Sequence, residues 1–238
     1  MKIDYMIHNK IHGVMYTPGI DRKVPLIIFA HGYCGDLTML EHYGPKCLEA
    51  NIAIFFFDFC GGSLQSSSKG SMWDMSVLTE KKDYEEVLTF VSNLDYISDI
   101  TLMGESQGGY VATLVAGKHS ECGLILWYPA FVIERDCKER ARKGYKDQNY
   151  VWGMPMGRKY IEDALKINIF EETKKYKGNV LILHGNQDNV APISDSVHAL
   201  ETFPDATLYT VIGAGHGFEG NQRWEVIDQC IQYVKKRG

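Results

Sequence analysis

The centre of the sequence reads Leu102-Met103-Gly104-Glu105-Ser106-Gln107-Gly108-Gly109-Tyr110. The apolar run from Ile100 to Met103 predicts a strand before the serine, and the run from Tyr110 to Lys118 predicts a helix after it. Strand, Gly-x-Ser-x-Gly and helix in this order are typical of a sharp turn that presents a nucleophilic serine. Gly104 and Gly108 leave no Cβ to clash where strand and helix approach each other. We therefore expect Ser106 at the apex with a strained backbone, close to the N–H groups of a helix N-terminus.

Composition and charge restrict the class of protein. The 238 residues are 45% hydrophobic and 23% charged, which is typical of one globular core with an insertion. The net charge is −5, with both signs interspersed, so we expect no nucleic-acid partner. No apolar run approaches the roughly 20 residues of a membrane span, and the N-terminus has no signal-peptide core, so we predict a cytoplasmic protein without membrane contact.

Cysteine and histidine spacing gives no sign of a metal or disulfide framework. The six cysteines form no CxxC pair, and the eight histidines form no HExxH motif. In a cytoplasmic chain, thiols of this kind are usually reduced and buried. We therefore predict no metal site and no cofactor.

Short apolar runs alternate with amphipathic segments along the chain. Residues 2–7 and 11–16 predict an antiparallel hairpin at a sheet edge. Further strands are predicted at 24–30, 52–57, 97–103, 123–128, 179–184 and 207–212. Helices are predicted at 40–50, 79–94 (capped by Thr79), 106–118, 193–202 and 223–236. This alternation predicts an α/β protein with a mostly parallel, doubly wound sheet and helices on both faces.

The segment from 131 to 177 differs from the rest of the chain. It is charged, broken by glycines and Pro155, and contains Tyr145, Tyr150, Trp152 and Tyr160 but no strong apolar strand. Because a connection of this length inside a compact domain is usually functional, we interpret it as an inserted cap over the active site. The predicted core is 1–130 and 178–238, and we refer to residues 131–177 as the cap.

A nucleophilic serine needs a base and a carboxylate, which in this chain order follow it on later loops. Strand 179–184 leads into a loop that contains Asp188, and strand 207–212 leads into Gly215-His216-Gly217. We therefore predict Asp188 as the acid and His216 as the base. His184 ends a strand ahead of the acid and Asp58 precedes Ser106, so both are interpreted as structural. Glu105 is expected to pack or bond beside Ser106 without acting as the acid.

Acyl transfer also needs donors aimed at the developing oxyanion. The backbone N–H of Gln107 follows the nucleophile directly, and the backbone N–H of Tyr33 lies in the loop after strand 24–30. We predict that these two groups form the oxyanion hole and that the ring of Tyr33 lines the acyl pocket. His31 shapes the same loop, and its ring is expected to hydrogen-bond neighbouring loops. His31, Tyr33 and Trp152 are the candidates for contact with substrate.

With these residues placed, the chain resembles an α/β-hydrolase along nearly its whole length. Within that superfamily it resembles the small intracellular cinnamoyl (feruloyl) esterases of gut and rumen bacteria. The resembling pieces are His31-Gly32, Phe57-Asp58-Phe59, Gly104 to Gly109, His184 to Asp188, Gly215-His216-Gly217-Phe218 and the position of the cap. The resemblance implies that cap groups bind the aromatic hydroxyls of a substrate, and that Asp136 is the substrate-binding aspartate.

These observations together predict a serine carboxylic-ester hydrolase that forms an acyl-enzyme and acts on small aromatic esters of the feruloyl type. The partner is then a small-molecule ester, and a homodimer is left open. A peptidase of the prolyl-oligopeptidase clan is an alternative, with Glu134, Glu139 or Glu162 as the anchor for a peptide amine. A monoacylglycerol or thioester hydrolase would need a longer apolar channel. A non-catalytic ligand-binding protein would not need all three triad residues.

Overall fold

The computed structural model describes residues 1–237. Within this range, ten strands form a central sheet and a small hairpin. In chain order they are β1 (Lys2–Ile7), β2 (Ile11–Tyr16), β3 (Val24–Ala30), β4 (Ala53–Phe57), β5 (Ile97–Glu105), β6 (Gly123–Trp127), β7 (Gln148–Val151), β8 (Met154–Gly157), β9 (Val180–Gly185) and β10 (Ala206–Val211). The order across the central sheet is β1-β2-β4-β3-β5-β6-β9-β10. β2 pairs antiparallel with β1 and β4, and the other neighbours are parallel.

The edge hairpin of β1 and β2 is confirmed with the predicted boundaries. Its turn contains His8 and Asn9, whose φ angles are 50° and 55°. Two consecutive residues with positive φ match the twist of the flanking strands, which is why such turns are favoured in tight hairpins. The hairpin therefore extends the parallel part of the sheet at one edge.

Eight α-helices lie within the described residues. They are α1 (Gly44–Glu49), α2 (Val77–Ser92), α3 (Gln107–Ala116), α4 (Ile133–Lys143), α5 (Arg158–Ala164), α6 (Ile169–Thr173), α7 (Ile193–Thr202) and α8 (Asn221–Arg237). Among these residues, no helix combines the length and the apolar character that a membrane span requires.

Side chains of the central strands alternate between two hydrophobic clusters. Leu26 and Ile28 of β3 belong to the cluster that includes residues of α2 and α3. Ile27 and Phe29 point to the opposite face and belong to the cluster with residues of α1 and α8. A continuous apolar run such as Val24–Ala30 is the expected pattern for a strand that is buried on both faces. The predicted doubly wound α/β fold is therefore confirmed.

The starts of α1 and α2 differ from the prediction. The helix predicted over 40–50 is preceded by single 3₁₀ turns, and α1 begins at Gly44 with Pro45 in its first turn, where proline is tolerated because its missing N–H has no partner there anyway. The N-cap of α2 is Ser76 and not Thr79. The Ser76 hydroxyl accepts from the Thr79 N–H at 3.3 Å and the Ser76 N–H donates to the Thr79 hydroxyl at 2.8 Å. This reciprocal pair satisfies two free donors at the start of the helix.

The cap contains α4, α5, α6 and the hairpin of β7 and β8, between strands β6 and β9. The sequence does not predict this hairpin, because its short strands are partly exposed and carry no apolar run. Its turn is Trp152-Gly153, with φ angles of 51° and 77°. This is the same tight-turn geometry as in the edge hairpin, and it holds the Trp152 side chain at the tip.

Candidate active site

Ser106 lies in a strained turn between β5 and α3. Its φ and ψ angles are 51° and −118°, outside the regions that non-glycine residues normally occupy. A Cβ on Gly104 would lie 2.2 Å from the Gly108 carbonyl carbon, and a Cβ on Gly108 would lie 2.5 Å from the Ala30 carbonyl oxygen. The two glycines are therefore what allows β5, α3 and β3 to approach each other around the serine.

Ser106, His216 and Asp188 form a continuous hydrogen-bonded chain. The Ser106 Oγ lies 2.8 Å from His216 Nε2, and His216 Nδ1 lies 2.8 Å from Asp188 Oδ2. Asp188 follows β9 and His216 follows β10, and both strands run parallel to β5. Because parallel strands end at the same edge of a sheet, the loops after them bring these three side chains together. This arrangement is the one that activation of a serine by an oriented imidazole requires.

Asp188 is oriented by several donors besides His216. The Val190 and Ala191 N–H groups donate to its Oδ1 at 2.8 Å and 2.9 Å. His184 Nε2 lies 3.2 Å from Oδ2. Burial by itself would raise the pKa of Asp188, but these hydrogen bonds hold the pKa well below its usual range. The carboxylate therefore stays ionised beside the imidazole.

The ring of His216 is packed against Tyr128, a contact that the sequence did not reveal. The two ring centroids are 4.9 Å apart at 62°. The Tyr128 hydroxyl donates to Glu105 Oε2 at 2.6 Å, so Glu105 bonds beside Ser106 as expected and holds the aromatic ring in place. Burial and the nearby Glu105 carboxylate raise the pKa of Tyr128 well above its ordinary value, which keeps the phenol protonated as a donor.

The two predicted oxyanion donors are free of internal partners. Within residues 1–237, the backbone N–H groups of Tyr33 and Gln107 donate to no protein acceptor. The loop that contains Tyr33 passes directly beside the nucleophile, because a Cβ on Gly32 would lie 3.1 Å from the Ser106 Cβ. Gln107 is the first residue of α3, where N–H groups have no intrahelical acceptor. Both groups are therefore available to an anionic oxygen beside Ser106.

The structure corrects the expectation that His31 contacts the substrate. Its side chain is completely buried, and it is absent from the cavity lining. His31 Nδ1 lies 2.8 Å from the Gly32 carbonyl oxygen, and the Phe59 N–H donates to Nε2 at 3.1 Å. The ring thus joins the loop after β3 to the loop after β4, which is the role in loop bonding that the sequence also indicated.

A cavity of about 660 Å³ opens above Ser106 between the central sheet and the cap. Tyr33, Asp136 and Trp152 line it, together with Ser106 and His216. Burial raises the pKa of Asp136, and the nearby Arg135 and Arg140 guanidinium groups oppose this shift. The cavity is rich in aromatic side chains: Tyr33, Tyr43, Tyr128, Trp152, Tyr160 and Phe218.

Asp58 and His184, the other possible acid and base, are hydrogen-bonded to neighbouring loops and helices. Asp58 accepts from the Leu37 N–H at 2.7 Å and from the Ser67 N–H at 2.8 Å. His184 is fully buried, with its ring nitrogens 2.8 Å from the Ser196 hydroxyl and from the Ala191 carbonyl oxygen. Within residues 1–237, no three His, Cys, Asp or Glu side chains lie close enough together to hold a metal ion.

The fold and the serine turn define an α/β-hydrolase, and comparison with solved structures agrees. Est1E from Butyrivibrio proteoclasticus with ferulic acid bound has a TM-score of 0.85 at 23% identity, covering 100% of this chain and 98% of that one. Monoacylglycerol lipase from Paleococcus ferrophilus has a TM-score of 0.74 at 15% identity, covering 96% and 100%. Alpha/beta hydrolase domain-containing protein 10 from mouse has a TM-score of 0.76 at 18% identity, covering both chains completely.

The sequence itself places the chain within a family. Residues 21–147 match the family described as serine aminopeptidase, S33, and the chain belongs to this family. No curated protein sequence is similar enough to count as a relative. The predicted membership of the α/β-hydrolases is thus confirmed, and the chain is a member of a hydrolase family.

Proposed function

We propose that the protein is a serine carboxylic-ester hydrolase that works through an acyl-enzyme. The observation that carries this proposal is the hydrogen-bonded chain from Ser106 through His216 to Asp188, which opens into a cavity beside two free backbone N–H groups. A nucleophile, its base, an orienting carboxylate and oxyanion donors are the groups that acyl transfer requires.

In the proposed reaction, His216 Nε2 takes the proton of Ser106 as Oγ attacks the ester carbonyl. The carbonyl oxygen becomes an oxyanion that accepts hydrogen bonds from the Tyr33 and Gln107 N–H groups. His216 then protonates the leaving alcohol as the acyl-enzyme forms. In the second half of the reaction, His216 takes a proton from water as the water oxygen attacks the acyl carbonyl carbon. The bond from that carbon to Ser106 Oγ then breaks, and His216 returns the proton to Oγ, which releases the acid and restores Ser106.

The lining of the cavity supports an aromatic acyl group. Tyr33 and Tyr160 pack edge to face with ring centroids 6.0 Å apart, and Tyr33 packs in the same way against Trp152 at 6.2 Å. Edge-to-face arrangements of this kind are favourable between aromatic rings and extend to an aromatic ligand. Asp136 lies in the same cavity and is the candidate that would hydrogen-bond a substrate hydroxyl. A feruloyl-type ester fits both features.

A serine peptidase is the second candidate, because the family is described as serine aminopeptidase. The three cap acids suggested as amine anchors are engaged elsewhere. Glu134 pairs with Lys138, Glu139 with Arg142 and Lys143, and Glu162 with Arg158. None of the three lines the cavity, whereas Asp136 does. In a peptidase, Asp136 would therefore be the anchor for the peptide amine.

The chemistry of the cavity gives less support to a lipid-type hydrolase or to a non-catalytic binder. A monoacylglycerol or thioester hydrolase needs an apolar channel, but charged side chains line this cavity, among them Glu105, Asp136, Arg140 and Arg223. A non-catalytic binder has no need for an oriented Ser106–His216–Asp188 chain. The proposal includes a cytoplasmic location, a small-molecule ester as the partner, and no nucleic-acid or membrane contact.

The test is a rate comparison of the purified protein on methyl ferulate, a short-chain p-nitrophenyl ester and an aminoacyl-p-nitroanilide. Ser106→Ala is the matched control, because it removes only the nucleophilic oxygen. We expect fast turnover of both esters and a loss of about 10⁴-fold or more in the Ser106→Ala variant. Ester hydrolysis near the wild-type rate in that variant would overturn the serine mechanism. Faster anilide cleavage than ester cleavage would assign the protein to the peptidases.

A further inference from the structure

Both residues that supply the oxyanion donors are also bonded to the cap through their side chains. The Tyr33 hydroxyl donates to the Pro155 carbonyl oxygen of β8 at 2.8 Å. The Tyr160 hydroxyl of α5 donates to Gln107 Oε1. The backbone N–H of each residue is the proposed oxyanion donor, while its side chain reaches the inserted segment. The two partners are 122 residues apart in sequence in the first bond and 53 residues apart in the second, so only the tertiary fold brings them together.

The side chain of Gln107 is held at both ends of its amide. While Oε1 accepts from Tyr160, Nε2 donates to Glu80 Oε2 of α2 at 2.7 Å. Gln107 and Glu80 are 2% and 1% exposed, so neither has bulk water as an alternative partner. Burial raises the pKa of Glu80 well above its ordinary value and so favours the neutral acid, whose carbonyl oxygen accepts from the amide.

Loss of the Tyr160 bond would leave the buried Gln107 Oε1 without a partner, which costs about 1–3 kcal/mol in general. We expect the Gln107 side chain, and the backbone that carries it, to move so that the atom regains a hydrogen-bond partner. That backbone bears the oxyanion donor. The ring of Tyr160 also packs on the ring of Tyr33, so the two cap contacts reinforce each other.

We propose that Tyr160 is a positioning residue that holds the Gln107 N–H at the oxyanion through the Gln107 side chain, and that the Tyr33–Pro155 bond does the same for the other donor. The cap is then part of the construction of the oxyanion hole as well as a wall of the substrate cavity. This inference rests on the proposed acyl-transfer function.

Tyr160→Phe tests the proposal, because it removes only the hydroxyl and keeps the ring that lines the cavity. Tyr176→Phe is the matched control. Tyr176 is also buried, its hydroxyl donates to the Cys122 carbonyl oxygen at 2.7 Å and lies 3.3 Å from the Asn179 carbonyl oxygen, and it does not line the cavity. Both variants lose one buried phenolic hydroxyl, so their losses of stability should be similar. Only Tyr160→Phe should disturb the oxyanion hole.

The readouts are kcat and KM for a p-nitrophenyl ester, the melting temperature, and inhibition by 2,2,2-trifluoroacetophenone. When the inhibitor reacts, Ser106 Oγ bonds to its carbonyl carbon and the Oγ proton moves to His216. The π electrons of the carbonyl move to its oxygen, which becomes an oxyanion. For Tyr160→Phe we expect kcat to fall about tenfold, KM to change less than about twofold, and the inhibition constant to rise about as much as kcat/KM falls. Tyr176→Phe should keep wild-type values for all three.

A second variant guards against misfolding of the first. Tyr33→Phe keeps the backbone donor and removes only the hydroxyl, with its bond to the Pro155 carbonyl oxygen at 2.8 Å and its longer contact with the Met154 carbonyl oxygen at 3.5 Å, so it should show the same loss in kcat. A loss confined to KM in both variants, or a kcat no lower than that of Tyr176→Phe, would overturn the proposal. Ser106-dependent turnover by the wild-type protein is measured in the same assay, so failure of this inference is distinguishable from failure of the proposed function.

Discussion

Asp188 is the side chain on which the polar contacts of the site converge. It accepts from two backbone N–H groups and from His216, and it lies beside the ring of His184. A buried carboxylate with this many donors is better stabilised as an anion in the folded chain than in water. The same contacts fix the tautomer of His216, since the nitrogen that faces Asp188 must carry the proton when the other accepts from Ser106.

This environment predicts how stability depends on pH. A carboxylate whose pKa is lowered by folding stabilises the fold above its unfolded-state pKa of about 4, and this contribution is lost as the pH falls toward the folded-state value. The pKa of Asp188 is lowered in this way. The free energy of unfolding of wild type, relative to that of Asp188→Asn, should therefore be greatest above about pH 5 and should shrink below about pH 4. Urea unfolding of both proteins between pH 6 and pH 3 measures this, and a difference that stays constant or grows on acidification would contradict it.

Among the secondary-structure elements, the cap hairpin of β7 and β8 packs against the loop before α2. A Cβ on Gly157, at the end of β8, would lie 1.9 Å from the Trp73 carbonyl oxygen. The Trp73 ring packs edge to face on Tyr150 of β7, with the centroids 5.4 Å apart. The hairpin therefore depends on a close backbone approach at Gly157, and Trp152 at its tip reaches the cavity because of this seating.

Gly157→Ala should displace the hairpin and weaken substrate binding. The φ angle of Gly157 is −72°, so alanine adds a steric clash without backbone strain. Gly144→Ala is the matched control in the same cap, because Gly144 has a φ angle of 80° and open space around it. For Gly144→Ala we expect the free energy of unfolding to fall by about 1–3 kcal/mol because of backbone strain, and KM to stay unchanged. For Gly157→Ala we expect the free energy of unfolding to fall by about 2–3 kcal/mol and the KM for methyl ferulate to rise.

Thermal unfolding and ester kinetics of the two glycine variants separate the contributions of clash and strain. If Gly157→Ala raises KM no more than Gly144→Ala, the seating of the hairpin does not control the cavity. If Gly144→Ala is the more destabilised of the two, backbone strain and not the Trp73 contact dominates in the cap.

At the scale of the whole molecule, the cap shares its hydrophobic core with the central sheet. Phe131, Tyr160 and Ile161 of the cap lie in the same cluster as Leu26 and Ile28 of β3. The contacts that bury these side chains come from the core, so the cap has no separate apolar interior on which to fold. A segment of this kind should unfold together with the sheet.

We therefore expect one cooperative unfolding transition for the whole chain. Calorimetry should give equal calorimetric and van't Hoff enthalpies. Hydrogen exchange provides the local measurement, because amides in α5 of the cap and in β5 of the sheet should open with the same dependence on denaturant. A separate transition at lower temperature, or α5 amides that exchange through a smaller opening, would show that the cap is an independent unit.

Features that depend on short-range pattern could be predicted from the sequence. Runs such as Val24–Ala30 predicted the buried strands, and glycines around Ser106 predicted the sharp turn. Because each triad residue follows a strand whose end lies at one edge of a parallel sheet, the chain order was enough to select the three side chains that the structure brings together. The resemblance to α/β-hydrolases rested on the same local motifs.

The side chains that support that site became visible only in the folded chain. The sequence could not show that Tyr160 and Glu80 hold the two ends of the Gln107 amide, or that Tyr128 packs on His216. It also admitted His31 as a substrate contact, although packing buries that ring. The physical reason is that hydrogen bonds and ring contacts between residues tens of positions apart depend on how helices and strands pack, and no spacing in the sequence specifies that packing.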